Sequence, residues 1–188
     1  MKVLAFAATS SRHSINKAIV THATQVLAQE IVPGADIDLI DLNDFEMPIY
    51  SIDRENDTGI PALAQQFFDK IGAADAVIIS YAEHNGSYTA AYKNIFDWAS
   101  RINAKVFQGK PMLIMSASPG PGGASNVLKA ATDSAPHFGA DLKANFSVGP
   151  FAQRFDAEQG KFSDVLLADT LRDALRALQS SAADKAEG

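Results

Sequence analysis

Three short polar stretches carry the residue types that ligand chemistry needs, and each stands between an apolar run and a stretch with helical periodicity. The first is Thr9-Ser10-Ser11-Arg12-His13-Ser14, where hydroxyls, backbone N–H groups and one guanidinium lead directly into a helix. Unpaired N–H groups at a helix N-terminus favour an anion, and arginine adds a rigid fork of donors matched to phosphate oxygens. The stretch is a candidate phosphate site, although Ser14 equally suits a helix cap and Arg12 a solvated surface. The second is Tyr81-Ala82-Glu83-His84-Asn85-Gly86-Ser87-Tyr88. Here Asn85 offers a donor and an acceptor, Tyr81, His84 and Tyr88 can stack on a ring, and Gly86 lets backbone approach a flat ligand. The third, Ser116-Ala117-Ser118-Pro119-Gly120-Pro121-Gly122-Gly123, is a small-residue loop whose glycines can do the same. Taken singly, each glycine is also an ordinary turn residue.

Several chemistries are disfavoured. The first stretch has no glycine, so it matches neither the dinucleotide fingerprint nor the P-loop, despite Asp41 standing where a ribose-binding acid would sit. No acidic cluster follows the first apolar run, as a phospho-acceptor receiver domain would require. No G-x-S-x-G elbow exists and Ser118 has no evident base, which disfavours a serine hydrolase. With Cys 0, disulfides and thiolate metal sites are excluded, which fits a reducing cytoplasm. A net charge of -6 without a Lys/Arg cluster argues against a nucleic-acid surface. No apolar run approaches the roughly 18 residues of a membrane span, and Met1 to Ala8 is too short and too quickly polar for a signal peptide.

The elements that must position these stretches follow from periodicity. At 188 residues with 47% hydrophobic residues the chain can bury one full core, and a single domain over 1–188 is expected, with a frayed tail after about Ser180. Lys2 to Ala8 reads as a first strand, and Ala18, Ile19, Ala23, Val26 and Leu27 line one face of a helix from Asn16 to Glu30. Asp36 to Leu42 alternates charged and apolar residues, as a strand near a sheet edge does. Residues 43–59 show no clean period and read as a long connection. A helix follows from Pro61 to Gly72, then a strand from Ala76 to Ser80 and a helix from Thr89 to Arg101. Pro111 to Ser116 is a fourth strand, Ala124 to His137 a helix, Leu142 to Val148 a fifth strand, and Val165 to Leu178 a closing helix. This alternation predicts an α/β fold, a doubly wound five-stranded parallel sheet with helices on both faces. In the strand order 2-1-3-4-5 the three polar stretches meet at one sheet edge.

Together the three stretches resemble the NAD(P)H-dependent FMN reductase family, flavodoxin-like flavoproteins that include quinone, chromate and azo-dye reductases. The resemblance runs from Lys2 to about Gly149. Ser10-Ser11-Arg12-His13-Ser14-Ile15-Asn16 stands for the family pattern S-x-R-x-x-S-x-N, one residue shorter. Ala82-Glu83-His84-Asn85-Gly86-Ser87 with Lys93-Asn94-Ile95-Phe96-Asp97-Trp98 stands for P-E-Y-N-G-S and K-N-x-x-D-W, and Ser118 to Gly123 for S-P-G-x-x-G-G. The resemblance implies that Ser10, Arg12, Ser14 and Asn16, with Ile15 between them, hold or brace the phosphate of FMN. Ala82, Glu83, His84, Asn85, Gly86 and Ser87 would then run along the isoalloxazine, and Ser116, Ser118, Gly120, Gly122 and Gly123 would bound its other side. Ala82 replaces the family proline and His84 its tyrosine, so substrate choice is expected to differ there. The implied activity is hydride transfer from NADPH or NADH through FMN to a quinone, free flavin or similar small-molecule acceptor. A non-enzymatic flavodoxin-like electron carrier is the main alternative, and a flavin- or quinone-sensing protein a third. Tyr92, Ile95, Phe96, Trp98, Ala99 and Ile102 make the helix after the middle stretch apolar over more than one stripe. Burial explains part of that surplus; the rest, with Lys93 and Asp97 four apart, resembles the family's subunit interface and implies a homo-oligomer, dimer or tetramer.

Overall fold

The computed structural model describes residues 1–186, with side-chain surroundings through residue 183. The strands are β1 (Lys2–Ala8), β2 (Asp36–Leu39), β3 (Ala76–Tyr81), a two-residue pair β4 (Glu83–His84) and β5 (Ser87–Tyr88), β6 (Pro111–Ala117), β7 (Asp141–Val148), and a second short pair β8 (Phe155–Asp156) and β9 (Lys161–Phe162). The helices are α1 (Ile15–Val26), α2 (Ile52–Thr58), α3 (Ala62–Ala73), α4 (Ala90–Ile102), α5 (Ser125–Ser134), α6 (Phe151–Arg154) and α7 (Val165–Ala186). Five strands form the parallel sheet β2-β1-β3-β6-β7, the order expected for a flavodoxin-like domain.

Two cores sandwich the sheet because side chains alternate along each strand. Leu4, Phe6 and Ala8 of β1 join Val77, Ile79 and Tyr81 of β3 under α3, α4 and α5. Val3, Ala5 and Ala7 face the other way and pack with Ala76 and Ile78 under α1 and α7. The register sets Ala8 opposite Tyr81, Tyr81 opposite Ser116, and Ser116 opposite Ser147. Three loops therefore leave the sheet side by side at one level.

The structure departs from the periodicity reading at short elements. The second strand ends at Leu39, since Leu42–Phe45 coils into a 3-10 turn that buries Leu42 and Phe45, with the Asp41 carboxylate accepting from the Asn43 N–H. Helix α1 stops at Val26 and continues as one π-helical turn, Leu27–Ile31. The connection over 43–59 holds α2, capped by the Ser51 hydroxyl and ended by Gly59 at φ 76°, which favours glycine. None of its seven residues is buried, so it leaves no apolar period to read. Helix α7 runs on to Ala186; residues 187 and 188, the end of the tail expected to fray, lie outside the described residues.

That connection lies across α4. The Trp98 indole N–H donates to the Pro48 carbonyl at 2.7 Å, the Asn94 amide donates to the carbonyls of Met47 and Pro48, and the Tyr50 N–H donates to Asn94 Oδ1. Trp98 is 1% exposed as a result. Lys93 and Asp97 pair with each other along α4, at 2.6 and 2.7 Å. Much of the helix's apolar surplus is thus covered within the chain.

Candidate functional site

The first loop is built around the start of α1. Ser14, at φ -87° and ψ 133°, accepts the Asn16 N–H on its hydroxyl, so it is the cap of α1. Asn16 sits directly behind it, 2% exposed, donating to the Ala117 carbonyl at 3.2 Å and accepting from the Ser80 hydroxyl at 2.8 Å. That amide braces the ends of β3 and β6 against α1. Ile15 is partly buried and packs against the core beneath α1 and α7. Ser10, Ser11, Arg12 and His13 are exposed. Among the described residues, no hydrogen bond or ion pair takes up the Arg12 guanidinium or the Ser10 and Ser11 hydroxyls. No acid stands in the first turn of α1. Asp41 instead pairs with Lys17, whose hydrogen bond holds the Asp41 carboxyl below the usual carboxylate range.

The middle loop is a β-hairpin that periodicity does not reveal. Glu83 pairs with Tyr88 and His84 with Ser87, and the two turn residues, Asn85 at φ 51° and Gly86 at φ 78°, both take the left-handed region. An Asn-Gly pair is the strongest short-range signal for such a turn, so this feature could have been found in the sequence. His84, Asn85, Gly86 and Ser87 are exposed at its tip. Ala82 is buried at its root. Glu83 turns sideways: its carboxylate accepts the Val127 N–H at 2.9 Å and the Asn126 side-chain amide at 3.4 Å. Thr89 closes the loop, its hydroxyl donating to the Ala8 carbonyl at 2.9 Å and accepting from the Tyr92 N–H.

Tyr81 does not reach the loop surface. It is 2% exposed, its ring packs against Tyr88 and Tyr92, and its hydroxyl pairs with that of Tyr92 at 3.0 Å. Burial pushes both phenols well above the usual tyrosine value, so neither ionises at neutral pH. Tyr88 is half-buried beside Ser134.

The third loop is closed on itself and held from behind. The buried Ser116 hydroxyl donates to the Gly123 carbonyl at 2.7 Å, and Ser118 donates to the Gly120 carbonyl at 3.1 Å. Phe151 N–H donates to the Ser118 carbonyl, and Arg154 to the Gly149 carbonyl. Gly123 needs its φ of 59°, and a Cβ there would meet Ser147 at 3.0 Å. At Gly120 and Gly122 a Cβ would meet no protein atom within 4 Å, and neither has a positive φ. Those two glycines leave open room rather than relieve strain.

These features fit a phosphorylated, flat cofactor. Arg12 and the Ser10 and Ser11 hydroxyls, unpaired among the described residues, immediately precede an acid-free helix start, a combination that suits a phosphate. Beside them, a hairpin tip and a loop with open glycines offer backbone at close approach. Among the described residues no group of three or more His, Asp or Glu could hold a metal ion, and no helix is long and apolar enough to cross a membrane.

Comparison with known proteins agrees with this chemistry. The sequence profile of the NADPH-dependent FMN reductase family matches residues 1–150. An NADPH:quinone oxidoreductase of Arabidopsis thaliana is 33% identical over 159 residues, 82% of this chain and 78% of its own length. An NAD(P)H-dependent FMN reductase of Pseudomonas aeruginosa is 34% identical over 120 residues, 64% of this chain and 61% of its own. The flavoenzyme NAD(P)H:(acceptor) oxidoreductase FerB of Paracoccus denitrificans shares the fold, with a TM-score of 0.74 at 24% identity and 97% of each chain covered.

Proposed function

The chain belongs to the NADPH-dependent FMN reductase family, and from that premise we propose that it passes hydride from NADPH or NADH to a quinone, a free flavin or a similar small-molecule acceptor. When bound, FMN supplies the hydride chemistry. The polypeptide's part is to bind, orient and exclude water. Ser10, Arg12 and the start of α1 hold the phosphate. The 83–87 hairpin tip and the 118–123 loop flank the ring. The observation that carries this reading is the unpaired Arg12 at an acid-free helix start, on the same sheet edge as two loops open at glycine. The quinone oxidoreductase names of relatives support a quinone acceptor.

The test is direct. The purified chain should show a flavin spectrum that bleaches on anaerobic mixing with NADPH or NADH and returns when a quinone is added. Bound flavin that neither donor bleaches would leave the electron-carrier reading in its place.

The same reading includes a cytoplasmic homo-oligomer, a dimer or tetramer. A groove of about 370 Å³ between α4 and α5, lined by Tyr88, Phe96, Phe107 and Phe138, is the apolar face left for a second copy once Trp98 is covered within the chain. A monomeric mass by light scattering at micromolar concentration would overturn this.

A further inference from the structure

Glu83 belongs to the stretch expected to run along the flavin ring, yet its carboxylate points to the start of α5. That helix lacks a cap of its own. Its N-cap position is Ala124, in the left-handed region at φ 61° and with no side-chain hydrogen bond. The first-turn N–H groups of a helix have no partner within the helix, so the Val127 N–H depends on an acceptor from elsewhere. Glu83 Oε2 supplies it at 2.9 Å across 44 residues of sequence, while Oε1 takes the Asn126 amide at 3.4 Å. A carboxylate is also the group that the positive end of a helix favours.

We infer that Glu83 is a positioning residue: by capping α5 from the neighbouring loop it fixes the spacing between the hairpin tip at Asn85-Gly86 and the 118–123 loop, and with it the width of the slot for the FMN ring. This rests on the reading that the ring lies between those two loops. The remaining contacts are consistent with that role. Hairpin and helix approach again where a Cβ on Gly86 would lie 4.0 Å from Asn126 Nδ2. At its base the hairpin is fixed separately by Thr89 to β1. The Tyr88 hydroxyl also reaches α5, but at its far end, where it meets the Ser134 hydroxyl at 3.3 Å, so among the described residues Glu83 makes the side-chain hydrogen bonds that join the hairpin's own strands to the first turn of α5, the end beside the 118–123 loop.

The experiment compares Glu83→Ala and Glu83→Gln with the wild-type chain. The glutamine keeps an oxygen for the Val127 N–H but removes the charge. Without FMN, amide exchange at Val127 should quicken about tenfold or more in Glu83→Ala, while the amide of Ala131, inside α5, keeps its protection. FMN affinity, followed by flavin fluorescence, should fall about tenfold in Glu83→Ala and recover to within about threefold in Glu83→Gln. In steady state, kcat should fall more than KM for the donor changes, since the slot rather than the donor site is altered. Wild-type FMN affinity in Glu83→Ala overturns the inference, as does a Glu83→Gln variant no better than Glu83→Ala, which would assign the effect to charge. Unchanged Val127 exchange in Glu83→Ala also overturns it, and that readout needs no cofactor. If the wild-type chain bound no FMN, the functional reading itself would fail; failure of this inference alone leaves wild-type FMN binding and bleaching intact.

Discussion

Helices α1 and α5 begin at the same sheet edge and are finished in opposite ways. The α1 start is capped by its own Ser14, has no acid in its first turn, and keeps Arg12 unpaired beside it. The α5 start has no cap of its own and is occupied by Glu83 from the neighbouring hairpin. A helix N-terminus attracts negative charge wherever that charge comes from. One of these ends is open to an external anion and the other is closed by the protein's own carboxylate. On the proposed function, the cofactor's phosphate would thereby be directed to a single place, and the second loop pair would be free to set a width.

The comparison breaks most severely at Asn16, whose amide reaches from the first turn of α1 to Ala117 and Ser80. Asn16→Ala strands a buried hydroxyl and a carbonyl, and should lower stability by about 2–4 kcal/mol in urea unfolding, a loss of two buried hydrogen bonds. Next is Arg12→Ala, which should weaken FMN binding by about 1.5–3 kcal/mol, the scale of a charged hydrogen bond, with the apoprotein's melting temperature unchanged. Unaltered FMN affinity would falsify the open-end assignment. Ser14→Ala is smaller. Loss of the cap should reduce stability by about 0.5–2 kcal/mol, measured in the apoprotein.

The least effect concerns the segment behind both loops. His22 on α1 packs edge-on against Phe155 and Phe162, at 5.8 and 5.2 Å between ring centres. Burial, and then the nearby Arg172, hold its pKa below 6.5, with Lys161 adding to and Glu30 opposing that shift. A histidine depressed in the folded state contributes fully above its unfolded pKa, and stability is lost as pH falls from there through the folded value. The wild-type melting temperature should therefore drop below pH 6.5 more steeply than that of His22→Phe. Parallel profiles would exclude His22 as the cause.

How much of this was legible in the sequence depends on the distance between partners. The proposed phosphate end is local: hydroxyls, guanidinium and cap lie within Ser10 to Asn16 and can be read in order, and of these the Ser14 cap is seen in the structure. The three inner strands were equally legible, because buried parallel strands are continuous apolar runs, while the edge strand Asp36–Leu39 showed itself by alternation and read three residues too long. The ring end was legible only in part. Asn85-Gly86 announced a hairpin by its turn chemistry, but the bond from Glu83 to Val127 joins positions whose neighbourhood exists only after the sheet has formed. Tyr81 reads as a ring-stacking residue because the strand is expected to stop at Ser80 and leave it in the polar stretch, whereas β3 includes it and strand alternation sends it into the core with Ile79 and Val77. Trp98 similarly reads as surplus apolar surface until the 43–59 connection closes over it.

The third loop has an unequal tolerance for change that matters to anyone redesigning the protein. A side chain at position 149 would place its Cβ 2.5 Å from the Gly120 carbonyl oxygen and from the Gly123 nitrogen, both backbone atoms with no rotamer to yield. Positions 120 and 122, by contrast, would bring a new Cβ within 4 Å of no other protein atom. On the proposed function, side chains at positions 120 and 122 would enter the room left for the flavin ring and so would test cofactor binding without straining the fold, whereas Gly149, outside the loop and silent in its chemistry, has to be kept for the fold itself.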